Sequence, residues 1–200
     1  MTATTTVQPA ELEALKARFG HAVLVAYEDR GMPTVLVDKS RIRDILSFLK
    51  TEPGLEFDFL TDLAGADGLR LADWGGRWPD RFQVAYHLRS MKTGRRIRVK
   101  ASVPEGDAVM PTVTDLWRAA DWAEREVFDL YGVHFTGHPN LKRILCHHQF
   151  KGHALRKDYF IADGQWCTEP ESLLDEIGAF GENPLDGGFS ELIPINLGPW

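Results

Sequence analysis

The sequence predicts an α+β domain: a mixed or antiparallel sheet of four or five strands with helices on one face, followed by an extended, irregular C-terminal tail. Three observations lead there. Phe82, Val84, Tyr86 and Leu88 alternate with Gln83, Ala85, His87 and Arg89, and after Lys92-Thr93-Gly94-Arg95 the alternation resumes with Ile97, Val99 and Ala101, the pattern of a half-buried hairpin. Leu12, Leu15 and Phe19, and again Ile42, Ile45, Leu46 and Leu49, recur at helical spacing. Beyond about residue 135 both periods fade into polar chain punctuated by glycine and proline.

The elements follow in order. Residues 1–8 read as a flexible tail, and Pro9 opens a helix that Gly20 closes. Ala22 to Tyr27 is a strand, Asp29 to Pro33 a turn, and Thr34 to Asp38 the returning strand. Ser40 is the expected N-cap of the second helix, which stops before Pro53. Phe57 to Ala64 is a third strand, and Gly65 to Asp80, rich in Gly, Asp and Trp, a surface loop. After the hairpin, Leu116 to Tyr131 is helical. Asp121-Trp122-Ala123-Glu124 fits a capping box that divides it into a short helix and a stronger one, and Gly132 stands where a left-handed C-terminal cap belongs. The domain is expected to span residues 9–135, with residues 136–200 as an extended docking tail; Ser172 to Ile177 is the one periodic stretch after Ile161.

Composition narrows the function classes. The chain has 200 residues, 44% hydrophobic and 26% charged, enough for a real core and unlike collagen, coiled coil or wholesale disorder. A net charge of −6 requires any nucleic-acid role to rest on a local basic patch. No apolar run approaches the roughly 18–20 residues of a membrane span, and Met1 to Pro9 lacks the features of a secretory signal. Two cysteines, Cys146 and Cys167, form no disulfide framework and fit a reducing compartment; alone they cannot hold a four-cysteine cluster or zinc site.

Several constellations bear chemistry. In Glu124-Arg125-Glu126-Val127-Phe128-Asp129, Trp122, Glu126 and Asp129 fall roughly on one helix side, and Arg125 and Asp129 are spaced to pair. Glu126 with Asp129 forms a general acid/base pair on a catalytic reading. The better-supported reading is a charge ladder that orders the helix and docks it on a basic partner. Cys146-His147-His148, with His138 and His153, offers zinc donors, yet the spacing matches no zinc signature and loop histidines are the simpler account. Pro139-Asn140-Leu141-Lys142-Arg143 and His153-Ala154-Leu155-Arg156-Lys157-Asp158-Tyr159 place cations in irregular backbone, suited to a partner's carboxylates. Residues 89–100 hold six Lys or Arg and no acid, a face for RNA or an acidic protein, or simply a charged sheet surface that resists aggregation. No dinucleotide, Walker, nucleophile-elbow or H-E-x-x-H motif occurs.

Glu124-Arg125-Glu126, Asp129-Leu130-Tyr131, six further residues to His138, then Lys142, Ile144 and Leu145 resemble the signature of the C subunit of respiratory complex I, the 30 kDa subunit of NADH–quinone oxidoreductase. Arg81 to Leu88, Val113 to Trp117 and the closing motif Gly152 to Tyr159 resemble the same family in the same order. Ala154 and Phe160 stand where the family usually has proline, Arg118 lies near another such position, and the loop from Ala66 to Asp80 is enlarged.

The resemblance implies a non-catalytic structural subunit of the peripheral arm of a proton-translocating complex, on the cytoplasmic face of a bacterial inner membrane. It implies no cofactor on this chain, with flavin and iron–sulfur clusters in partner subunits, and packing against the D subunit with the B and I subunits nearby. The residues it marks for the interface are Glu124, Arg125, Glu126, Asp129, His138, Lys142, Arg143, His153, Arg156, Lys157 and Asp158. A stand-alone RNA-binding or acid/base enzyme domain is the alternative. Glu191-Leu192-Ile193-Pro194-Ile195-Asn196-Leu197-Gly198-Pro199-Trp200 resembles the opening of the D subunit, the expectation of a C/D fusion.

Overall fold

In a computed structural model of the chain, residues 10–71, 76–160 and 165 are described. The expectations for residues 1–8, Pro9, Cys167, Ser172 to Ile177 and 190–200 lie outside them. Helix α1 (Ala10–Phe19) leads into strands β1 (Val23–Asp29) and β2 (Met32–Asp38), then helix α2 (Ile42–Thr51). Strands β3 (Phe59–Asp67), β4 (Phe82–Arg89) and β5 (Arg96–Val103) follow, then the short β6 (Val109–Pro111), helix α3 (Ala120–Tyr131) and the short β7 (His134–Thr136).

The main sheet runs β1-β2-β5-β4-β3, antiparallel except where β2 meets β5 in parallel. This mixed five-stranded sheet bears out the predicted fold class. The β1–β2 connection is a tight turn with Arg30 at φ 52° and Gly31 at φ 74°, the double left-handed geometry that suits the twist of a hairpin. It is shorter than the expected turn, so β2 begins at Met32 and includes Pro33. Register aligns Val35, Val99, Tyr86 and Leu63 in one row and Val37, Ala101, Val84 and Gly65 in the next. These rows share one core with Leu12, Leu15, Ile42, Ile45, Leu46, Leu49 and Val127 from the three helices. On the opposite face Gln83 donates to the carbonyl of Arg77, Ser102 donates to Asp80 at 2.7 Å, and Lys100 lies over the ring of Trp78. The expected surface loop therefore covers the second face of the sheet.

Three local expectations are corrected. The cap ahead of α2 is Asp38, not Ser40: the Asp38 carboxylate accepts the Ser40 N–H at 2.7 Å and starts a 3₁₀ turn, Lys39–Arg41, before the helix. Strand β3 continues through Gly65, Ala66 and Asp67, which composition alone marks as loop. Gly65 is required because an added Cβ there would sit 2.6 Å from the ring of Tyr131, so α3 lies directly on the strand. Finally, no capping box opens α3. Ala119 precedes it at φ −60°, ψ −21°, already helical, and Glu124 turns inward instead of back. The chain before it, 114–119, runs in turns. The predicted left-handed cap at Gly132 is present at φ 76°.

Candidate docking surface: helix α3 and the strap along it

Helix α3 is buried on the side that carries Glu124, Val127 and Leu130, while Trp122 is 71% exposed and Glu126 is exposed. The expected grouping of Trp122, Glu126 and Asp129 on one side is thus split: Asp129 is completely buried. So is the expected Arg125–Asp129 pair. Arg125 donates to the carbonyls of Lys142 and Arg143, both at 3.1 Å, and Asp129 has a different set of partners.

Beyond β7 the polar chain forms a strap that follows α3 from its N-terminal to its C-terminal end. His138 starts it, accepting the Asn140 N–H on Nδ1 and bonding the Asp121 carbonyl through Nε2 at 3.1 Å. Lys142 and Arg143 are held by Arg125, as above. At Asp129, one carboxylate oxygen accepts three successive backbone N–H groups, from Ile144 (3.0 Å), Leu145 (2.8 Å) and Cys146 (2.8 Å). The other accepts Arg143 Nη1 at 2.7 Å. Burial by itself would raise the Asp129 carboxyl, but the Cys146 N–H, the Arg143 guanidinium and the Leu145 and Ile144 N–H groups outweigh it and hold the group below the usual carboxylate range.

The strap then returns to cap the helix. The last four carbonyls of an α-helix have no partner within it. Here Phe128 is met by the Gly132 N–H, Asp129 by His153 Nδ1 and Arg143, Leu130 by the Leu155 N–H, and Tyr131 by Arg156 Nε at 2.7 Å. Two arginines at that end also complement the negative pole of the helix dipole. His153, with its pKa pushed down by burial and by Arg156 and Arg143, is suited to bind as the neutral ring. Gly132 is packed so closely that an added Cβ would lie 2.4 Å from His153 Nε2. The Lys157 N–H and Leu69 N–H donate to Asp67, which is fully buried beside Arg81; Arg81 also reaches Glu105 and, at 2.6 Å, Asp158. Arg81 and Arg156 both stack on the Phe82 ring.

The structure therefore gathers nearly all the sequence-marked residues around one helix, yet the carboxylate that Arg143 meets belongs to the same chain, and Arg156 binds a carbonyl of α3. Glu126, Lys142 and Lys157 have exposed side chains. Leu145, whose backbone Asp129 holds, is 64% exposed. The catalytic reading loses its geometry, because Glu126 faces solvent while Asp129 is buried and saturated. Among the described residues no three His, Cys, Asp or Glu side chains converge as a metal site. Burial and the Asp129 charge push the Cys146 thiol up, away from a reactive thiolate. On the basic strand, Arg98 pairs with Asp29 at 3.0 Å and Lys100 covers Trp78, so only part of that face is open.

Sequence reasoning missed Glu124 as a core group. It accepts the Thr112 hydroxyl at 2.6 Å and the Val113 N–H at 2.7 Å, and burial raises its pKa to about 7. It also missed Asp67 and Arg81, because the acid sits in a stretch that reads as loop and no local spacing links the two.

A family model described as respiratory-chain NADH dehydrogenase, 30 Kd subunit, matches residues 35–165, from β2 to the end of the strap. The C subunit of NADH-quinone oxidoreductase from Citrifermentans bemidjiense is 46% identical over 145 residues, 72% of this chain and 84% of its own. The joined C/D subunit of NADH-quinone oxidoreductase from Bdellovibrio bacteriovorus is 41% identical over 187 residues, 91% of this chain and 29% of its own. Among solved structures, Nqo5 as a trypsin-resistant fragment (1–134) matches with a TM-score of 0.56 and 36% identity, covering 66% of this chain and 99% of that one. A chain of the membrane-bound sulfane sulfur reductase, an archaeal respiratory membrane complex, matches with a TM-score of 0.57 at 22% identity, over 86% of this chain and 94% of that one, a likeness of fold.

Proposed function

This chain belongs to the 30 kDa subunit family of the respiratory-chain NADH dehydrogenase, and from that premise we propose that it is a non-catalytic structural and assembly subunit in the peripheral arm of a proton-translocating NADH–quinone oxidoreductase. The observation that carries this reading is the use of the signature charges: Arg125, Asp129, Arg143, His153 and Arg156 brace a strap on α3. The helix keeps Trp122 and Glu126 for a partner. The D subunit is the expected partner, with the B and I subunits nearby, and a relative that joins C and D in one polypeptide supports the first of these. Flavin and iron–sulfur clusters reside in partner subunits. Among the described residues no helix is long and apolar enough to cross a membrane; the chain is held at the cytoplasmic face of the inner membrane through the complex.

The test is Trp122→Ala combined with Glu126→Arg. Thermal unfolding of the chain should be unchanged while its recovery in the assembled complex falls severalfold; recovery at the wild-type level sinks the docking reading. The isolated chain should be colourless and oxidise no NADH, and flavin or iron–sulfur absorbance or intrinsic turnover overturns the scaffold reading. Salt-sensitive RNA binding at physiological ionic strength would favour the basic strand instead. Residues 191–200, outside the described residues, are read as the counterpart of the D-subunit opening. A reading frame that continues past codon 200 and soon encodes a His-Pro pair supports a C/D fusion; a stop codon there, with an intact D subunit encoded separately, rejects the fusion and leaves a docking tail.

A further inference from the structure

We propose that Asp129 is a positioning residue for the docking surface: its carboxylate latches the 143–146 loop along α3, and the chain presents Trp122, Glu126 and Leu145 together only while that latch is closed. This rests on the docking reading above and adds to it the residue that builds the surface. It also gives the chemistry of the occupant, an apolar partner segment that brings a cation to Glu126.

Two observations point to a latch. Three consecutive N–H groups, from Ile144, Leu145 and Cys146, converge on one oxygen of a carboxylate with no solvent exposure. Such a run of amides is an anion nest, and Asp129 fills it from the helix. The loop's other ties lie at its start, where Arg143 donates to the Gly152 carbonyl at 2.9 Å and lies over the Phe150 ring, while Leu145, 64% exposed, contributes little burial in return for its lost freedom. Arg125 holds only the carbonyls of Lys142 and Arg143, at the loop's start. The second Asp129 oxygen and the Asp129 carbonyl both take Arg143, so a single residue of α3 meets four successive residues of the strap. Trp122 and Glu126 need no latch, because the helix itself displays them.

Trypsin reads the latch directly, since cleavage after Arg143 requires the guanidinium and the amides beyond it to leave Asp129. In full-length chain, Asp129→Ala should speed that cleavage by about tenfold or more, as expected for local opening ahead of global unfolding. Circular dichroism should show the sheet intact. The substitution empties the nest, so added formate, with equimolar chloride as control, should slow the cleavage again. Trp122→Ala should cut at the wild-type rate, and both variants should lower recovery of the chain in the assembled complex. Wild-type cleavage of Asp129→Ala, or no protection by formate, overturns the latch. Rapid cleavage with normal assembly overturns its link to docking; loss of assembly in Trp122→Ala would then leave the docking reading standing, and normal assembly of both variants ends that reading as well. If Asp129→Ala does not fold, Asp129→Asn carries the cleavage comparison, keeping the size of the side chain and the Arg143 trypsin site while removing the charge that Arg143 and the three amides meet.

Discussion

Two carboxyl groups little more than one turn apart on α3 are buried to opposite effect. Asp129 has a guanidinium and three amides around it and stays ionised; Glu124 has one hydroxyl and one amide and is raised to about 7. The sign of each effect on stability follows. Folded Glu124 holds its proton more tightly than the unfolded chain does, so its contribution is complete at low pH and is lost as pH rises from about 4.5 through about 7. Asp129 and Asp67, both lowered, contribute above the unfolded carboxylate range and lose their contribution as pH falls through their folded values. Glu124→Gln keeps an acceptor for Val113 and a partner for Thr112 without the titration. Urea unfolding at pH 5 and pH 8 should show it recovering up to about 3 kcal/mol of the wild-type loss between the two; an unaltered pH dependence would exclude Glu124 as the source. The sequence made these acids visible as a charged helix. It hid which of them point inward, because that depends on Thr112, Arg143 and the 144–146 amides, all remote on the chain.

At the scale of elements, legibility tracked the strength of the local period. The β4–β5 hairpin was readable because eight alternating positions each show their face, and α2 because four apolar residues repeat at helical spacing. The pair β6–β7 was not, since three residues such as Val109-Met110-Pro111 carry no period and their parallel pairing is imposed by the return of α3. The strap had no secondary-structure signal at all; its order comes from side chains meeting the open end of a helix. That makes Gly132 a junction. Gly132→Ala would force a Cβ into the left-handed region and into His153 and Arg156. It should cost about 2 kcal/mol or more in denaturant titration, with faster hydrogen exchange at the Leu155 amide. Gly65→Ala should cost about 1–3 kcal/mol by pushing Tyr131 off the sheet. A double-mutant cycle with Tyr131→Ala should recover much of that cost; strict additivity would show that the helix was not resting on the strand.

Across the whole molecule, Arg81 joins four distant stretches: Asp67 at the end of β3, its own position ahead of β4, Glu105, and Asp158 at the end of the strap. It is 7% exposed and Asp67 is fully buried. Arg81→Met would leave that acid with two backbone amides and no cation, at a cost of about 3 kcal/mol. Chemical denaturation should show it, together with earlier proteolysis near Lys157. A loss below about 0.5 kcal/mol would place the node among ordinary surface pairs. The family resemblance was legible in the signature residues. Their work within the chain was not, since arginines in irregular backbone read as partner-binding until the helix end they cap is seen.

The parallel contact between β2 and β5 bears on how the protein is made. The strand at the centre of the sheet is the last of its five to leave the ribosome, for β5 ends at Val103 whereas β2 is complete at Asp38. At ordinary elongation speeds the nascent N-terminal hairpin waits on the order of several seconds for its inner neighbour. Throughout that wait β2, with Val35, Leu36 and Val37, offers an unsatisfied backbone edge, and β4 offers another once it emerges. A ribosome stalled anywhere between the two strands would hold out an adhesive half-sheet, so translation pauses in residues 39–95 are where synthesis of this protein is most exposed to chaperone capture or to clumping.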